Sequence, residues 1–409
     1  MKNKQVIIRV ATVIVSALLI IAAYALIVGD GTIFKGNSDG ETLKAKVIRV
    51  TDVVATSVNG ESEIVTVSFK AQVLGGERRG KTVDVIQEID KTYAFSPRQV
   101  EQNDKILIEG FTEGGETLFY FGDYVRITPL IWLLVIFCVL IVAFSKMQGF
   151  KTIISLGFTC LAVFCVLIPA ILNGHNIYFW AILVCIYITV MTLLIISGYN
   201  KKALCAGIGC VSGVMCSGLV VLISDKFLNM TGLLEEESVY LYQLYPDNPI
   251  DLKAIIFAMI TIGALGAVMD VSVSISSSLK EIHDNVENPT FGLLVKSGVN
   301  IGRDIMGTMA NTLVLAYIGC ELSATLLQVM YSSSPTTLFS REKIVAELLQ
   351  ALVGSIGILL TIPLTAVVSA ALYTGGKRPK KSRKEKKPKY DKYYVEPSDE
   401  PSLFERIDK

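Results

Sequence analysis

Charge is scarce in this sequence: Asp, Glu, Lys and Arg together make up 18% of it, against about a quarter in soluble domains. Histidine is nearly missing. The two present, His175 and His283, are too far apart in the chain to suggest a His-based metal site. No His-Glu-x-x-His and no Gly-x-Ser-x-Gly occurs, so the chain lacks the signatures of zinc proteases and α/β-hydrolases. The polar stretch 30–126 contains no cysteine. All eight cysteines (138, 160, 165, 185, 205, 210, 216 and 320) lie in apolar runs, and none forms a Cys-x-x-Cys pair. They read as small packing residues and not as redox or metal chemistry. Net charge is +1, which gives no basic field for nucleic acid. These shortages predict a protein that is not an enzyme and uses no metal and no cofactor.

What is abundant is apolar surface. Hydrophobic residues make up 52% of the chain and the mean hydropathy is +0.53. A bilayer core needs about 20 consecutive apolar residues per helix. Eight runs meet that length: 10–28, 127–145, 153–172, 177–197, 203–223, 254–275, 305–330 and 348–373. In lipid every backbone polar group must be paired within its segment, so the runs are expected to be helices. Four regions follow: an anchor at 1–29, an extracytoplasmic β domain at 30–126, a seven-helix membrane domain at 127–373 and a tail at 374–409. The first run carries Ala23-Tyr24-Ala25, which resembles a cleavage site, but Leu26-Ile27-Val28 continue it, so an uncleaved anchor is expected.

Basic residues orient the spans. Lys2, Lys4 and Arg9 precede the first; Lys146 and Lys151 follow the second; Lys201 and Lys202 follow the fourth; Lys280, Lys296 and Arg303 follow the sixth. Ten more lie between Lys377 and Lys392. With eight spans all of these fall on one side, so both termini are expected in the cytoplasm of a cell bearing the protein in its plasma membrane. The loop 224–253 on the other side is acidic, with Asp225, Glu235, Glu236, Glu237, Asp247 and Asp251.

Between the first two spans, apolar and polar residues alternate in five stretches, 44–50, 63–73, 81–89, 104–110 and 117–127. Gly-rich turns at Asn59-Gly60, Gly75-Gly76 and Glu113-Gly114-Gly115 separate them. This predicts a small all-β barrel or sandwich, OB-like in size. GGERRGKT at 75–82 fits the phosphate-loop pattern letter by letter. A phosphate loop needs a helix to begin at its Lys. Here Val83, Val85 and Ile89 continue as a strand, so a hairpin turn with no nucleotide is expected, Arg78, Arg79 and Lys81 being edge charges.

One run breaks the apolar rule. In GALGAVMDVSVSISSSLKEIHD (263–284), residues three and four apart share a helix face, so Gly263, Gly266, Asp270, Ser274 and Ser277 form a stripe of small and polar side chains. The next run, VNIGRDIMGTMANTLVLAYIG (299–319), carries Arg303, Asp304, Thr308 and Asn311. A charge at a helix centre costs roughly 2.5–3.5 kcal/mol on insertion scales and so faces a partner or water. Two readings stand: an ion- or substrate-binding site made by Asp270, Ser274, Ser277, Arg303, Asp304, Thr308 and Asn311, or a structural lock in which Arg303 and Asn311 tie down Asp270. Two aspartates on adjacent spans also suggest an intramembrane protease, but the Gly-x-Gly-Asp context is missing.

Residues 288–302 place Phe291, Leu294, Val295 and Gly298 on one face, expected as a cytoplasmic interfacial helix. LLEEESVYLYQLY (233–245) is expected to be helical. Pro169 and Pro363 fall inside spans three and eight and are expected to disturb them. The basic, Pro-interrupted tail is expected to be disordered and to bind anionic lipid of the inner leaflet.

The pair of runs GALGAVMDVSVSISSSLKEI and SGVNIGRDIMGTMANTLVLAYIG, with the acidic loop and Ile250-Asp251-Leu252 before them, resembles the signature of the YibE/F-like membrane proteins. The likeness implies a multi-pass protein of a bacterial plasma membrane, in a family without an established activity. It also implies that Gly263–Ser278 and Gly302–Gly319 carry the function, with Asp270, Arg303, Asp304 and Asn311 matching. The expected function is a transporter or permease with a polar site between spans six and seven. The alternative is a non-transporting scaffold whose β domain binds an envelope protein.

Overall fold

The structure is a computed structural model, and it describes residues 2–28, 41–58, 62–91, 97–113, 116–234, 236–244 and 249–375. The Asn59-Gly60 turn and the basic tail beyond 375 lie outside the described residues.

Alternation becomes a closed barrel. Strands β1 (Glu41–Val58), β2 (Ser62–Val73), β3 (Thr82–Asp90), β4 (Lys105–Glu113) and β5 (Glu116–Tyr124) join in the order β1-β2-β3-β5-β4. Every pairing is antiparallel except β3 with β5. Strand β1 closes the ring by pairing β2 along its length and β4 with its first residues. Register shifts between Val47 and Arg49 and between Val50 and Asp52 let it bend to do so. Val47, Val67, Phe69, Ala71, Ile106 and Ile108 fill the inside. One polar side chain is buried with them. Gln87 donates from Nε2 to the Arg98 carbonyl at 3.0 Å and accepts from the Val100 N–H at 3.0 Å, so it holds the chain entering β4 at no unsatisfied cost.

The 75–82 stretch is the β2–β3 turn. A strand follows Lys81, so no helix end is available there to cradle phosphates. Arg78 is more than an edge charge: it lies 3.6 Å from Glu41 Oε2 and over the Phe119 ring.

The helices are α1 (Lys2–Val28), α2 (Ile127–Ala162), α3 (Ile168–Leu172), α4 (Ile177–Ile196), α5 (Lys201–Leu228), α6 (Glu236–Leu244), α7 (Leu252–Asn285), α8 (Phe291–Cys320), α9 (Leu322–Met330), α10 (Pro335–Phe339) and α11 (Glu342–Thr374). Among the described residues six helices are long and apolar enough to cross a membrane, and a seventh if the bent pair α8–α9 is one crossing. Leu130, Trp132, Leu134 and Phe137 of α2 are all exposed, Trp132 by 65%. Such a face suits acyl chains and not water.

Four local features shape this set. Lys146, with φ 48° and ψ −125°, interrupts α2, and the Ile141 carbonyl oxygen lies where a Cβ on Gly149 would go. Residues eight apart are about 12 Å apart along a straight helix, so the chain turns sharply at Lys146. A π-helical turn, Val163–Leu167, precedes Pro169; the wider turn absorbs the disturbance that a proline brings. At the far end of α5, Glu342 accepts from the N–H groups of Thr231 and Gly232, each at 2.6 Å, and ties that loop to α11. The stretch 236–244 is helical, as its sequence implies.

The interfacial helix expected at 288–302 is not a separate element. Helix α8 runs unbroken from Phe291 to Cys320, then bends by 66° into α9. Part of the face expected on the membrane surface is packed: Leu294 is buried and Gly298 meets Leu279 and Ala366, with Gly302 against Ile362 one turn on, while Phe291 stays exposed. Burying that part against α7 and α11 extends the helix inward.

Candidate functional site

Helix α7 begins where Asp251 caps the Ala254 N–H at 3.1 Å and runs through Asp270 near its middle. Its two faces have different chemistry. One face carries Val268, Ser272 and Ser276, fully buried against α5 and α11. Ser272 Oγ donates to the Val268 carbonyl at 2.8 Å, Thr365 Oγ1 donates to Ser272 Oγ at 3.4 Å, and the Tyr373 hydroxyl donates to the Ser276 carbonyl at 3.3 Å. Ser276 and Ser369 hydroxyls lie 3.4 Å apart. Small residues bring the helices this close: Cβ atoms on Gly209 and Gly213 would overlap Thr365 and Thr361, and one on Gly357 would overlap Ser217. This three-helix seam escaped the sequence reading. Its signal was present as i, i+4 rows, Gly209-Gly213-Ser217 in α5 and Gly357-Thr361-Thr365-Ser369-Tyr373 in α11.

The other face of α7 is the one the sequence singled out. Gly263 meets α8, the Tyr317 hydroxyl standing 2.5 Å from where its Cβ would be. Gly266 and Asp270 are exposed, and Ser274 and Ser277 are half-buried. Ser277 Oγ turns back to the Val273 carbonyl. On α8, Arg303, Asp304, Thr308 and Asn311 are exposed, on the side away from Leu294, Gly298 and Gly302. Thr308 donates to its own helix at Ile305. Among the described residues the side chains of Asp270, Arg303, Asp304 and Asn311 make no hydrogen bond and no ion pair within the chain. The lock between Arg303 and Asp270 is therefore not formed, and the two charged faces are not joined by any direct bond.

Chemically, the α7 face offers a carboxyl group beside a glycine and two hydroxyls, and the α8 face offers a guanidinium, a carboxyl group, a hydroxyl and an amide. Among the described residues no group of three His, Cys, Asp or Glu side chains gathers to hold a metal ion. His283 stacks on Tyr373 with ring centres 5.5 Å apart, and His175 lies beside Trp180.

The helices that carry these faces match the family model of YibE/F-like protein over residues 133–375, more than half the chain. The chain belongs to the YibE/F-like family. That match includes α4, α5, α7, α8 and α11 entire and leaves out α1 and the barrel. No curated protein and no solved structure matches this YibE/F-like chain.

Proposed function

We propose that this protein is a transporter or permease for an ion, a proton or a small polar solute, with Asp270 the group that engages the cargo. The observation that carries this is the Asp270 carboxylate, half-way along an apolar helix and without a bond to the protein among the described residues. A charge so placed needs water, an ion or a solute beside it. Gly266, Ser274 and Ser277 supply room and hydroxyls on the same face; Arg303, Asp304, Thr308 and Asn311 form a separate polar face on α8. The chemistry is binding and release, with no catalytic step.

The topology that goes with this reading has eight crossings. The turn at Lys146 supports reading α2 and its continuation as two spans, since 46 residues of straight helix would be about 69 Å long, over twice the bilayer core of about 30 Å. The basic residues at 146–151, 201–202 and 280–303 support an orientation with both termini in the cytoplasm and the barrel outside. The direct test is Asp270→Asn in proteoliposomes: flux is expected to vanish while the folded protein still inserts. Unchanged flux for every cation and solute that the native protein carries removes Asp270 from the route.

A scaffold is the second reading, favoured by one observation. The exposed face of α8, with Arg303, Asp304 and Asn311, points away from its own bundle and is free to meet another protein. Under that reading Asp304→Asn weakens capture of a partner and leaves no flux to measure.

A further inference from the structure

At one end of α4, a cation of α1 sits on the turn and a second cation lies within electrostatic range of it. The Arg9 guanidinium of α1 rests on the turn after α4, where Gly198 has φ +75° and a Cβ would stand 3.3 Å from Arg9 Nη2. Arg9 Nε is buried without a hydrogen-bond partner. Lys151, whose Nζ donates to Gln148 Oε1 at 3.0 Å, lies close enough to Arg9 for their charges to repel. Among the described residues neither pairs with a carboxylate. A buried donor left unpaired beside a like charge is costly, and an anion with several acceptor oxygens would relieve both terms.

An apolar groove of about 540 Å³ lies between α1 and α4, and its lining begins at Ile8 and Thr12, which flank Arg9 in α1, and at Leu194, one turn before Gly198. Ile8, Thr12, Val15 and Leu19 of α1 form one wall, and Tyr187 and Leu194 of α4 are on the other. A second cavity of about 180 Å³ shares Leu19 and Tyr187 with it and reaches Val166 and Trp180. The stretch from Ile8 to Leu19 rises about 16 Å, close to half of the roughly 30 Å bilayer core. The groove thus has the depth of one leaflet, and its charged mouth lies at the end where basic residues predict the cytoplasm.

We propose that the α1–α4 groove is a binding site for an anionic phospholipid, its phosphate held by Arg9 and Lys151 and one acyl chain lying between Ile8 and Leu19. The occupant is a lipid and not free phosphate because the apolar groove continues from the charged mouth, and an inorganic anion would leave it unfilled. The site uses none of the residues beyond 375 and is independent of the transporter reading.

The full chain in detergent, titrated with phosphatidylglycerol or phosphatidylcholine and read by native mass spectrometry, tests it. Phosphatidylglycerol should stay bound and phosphatidylcholine should not. Arg9→Gln should weaken phosphatidylglycerol binding about tenfold, the loss of one charged hydrogen-bonding group. Lys151→Gln should act in the same direction, and provides the readout if Arg9→Gln does not fold. Val15→Trp fills the groove and keeps both charges, so it should also release the lipid. The basic tail is common to all variants and cancels in the comparison. Native-level retention in the folded Arg9→Gln, Lys151→Gln and Val15→Trp proteins overturns the proposal. So does displacement of the lipid by millimolar inorganic phosphate while Val15→Trp still binds, which would assign the mouth to the free anion.

Discussion

Helix α7 presents polar groups to two environments, and the two sides handle them differently. Toward α5 and α11, Ser272 and Ser276 are buried completely. A serine can donate to the carbonyl four residues back and so carry its polarity into a core at little cost. Ser272, Ser217 and Thr361 all do this. Toward the outside, the Asp270 side chain makes no such bond among the described residues, and in its ionised form it could not, since a carboxylate and the carbonyls of its own helix only accept hydrogen bonds. The contrast is that the hydroxyls here serve packing, whereas the carboxylate is left without a packing role; under the proposed function it is the group that engages the cargo.

The sharpest way to break the packing side is to enlarge its glycines. Gly213→Leu drives a side chain into Thr361 and Val268 and should cost about 1–3 kcal/mol or more, seen as loss of folded protein in size-exclusion chromatography. Thr361→Ala should return part of that loss, because it removes the atom in conflict. A seam that accepts leucine with no change in melting temperature would refute the close contact.

A second comparison uses the barrel as an internal control. Gln87→Leu removes both bonds to the Arg98–Val100 segment and leaves the Val100 N–H unpaired, at about 1–3 kcal/mol. Melting of the barrel, followed by β-sheet circular dichroism, should fall while the helical signal is unchanged. A joint fall would mean that the two parts unfold as one.

The smallest effect lies at the junction between them. Asp123 accepts from Arg126 at 2.6 Å and from the Tyr124 N–H at 2.7 Å. These bonds, the arginine's first, hold its carboxyl below its ordinary value. A depressed folded value contributes stability that is present above the unfolded value and lost as pH falls through the folded one. The Asp123 carboxyl should therefore titrate by NMR below the ordinary aspartate range, and Arg126→Gln should raise its midpoint.

Much of this was legible in the residues. Alternation at 44–50 and 63–73 announces strands, and the absence of helix periodicity after Lys81 exposes the false phosphate loop. Less legible was which side of a helix faces its neighbours. Helix α7 carries small and polar residues on both sides, so the row Gly266-Asp270-Ser274 drew notice while Val268-Ser272-Ser276 forms the contact. In α5 and α11 nearly every position is apolar or small, and periodicity cannot separate a face toward lipid from one toward protein. The course of α8 was hidden for a related reason. Gly298 and Gly302 look like weak points for a helix, yet their lack of a side chain is what lets Ala366 and Ile362 press against them.

Asp270 is the decisive residue, because it is polar where packing gives it nothing. Asp270→Asn preserves shape and removes charge. Measured together, thermal stability of the purified variant and flux of protons or cations in proteoliposomes separate the two roles. The expected result is a melting temperature equal to that of the native protein with flux abolished. A large drop in melting temperature with transport intact in the surviving protein would show that the carboxylate holds the bundle together, and would contradict the account.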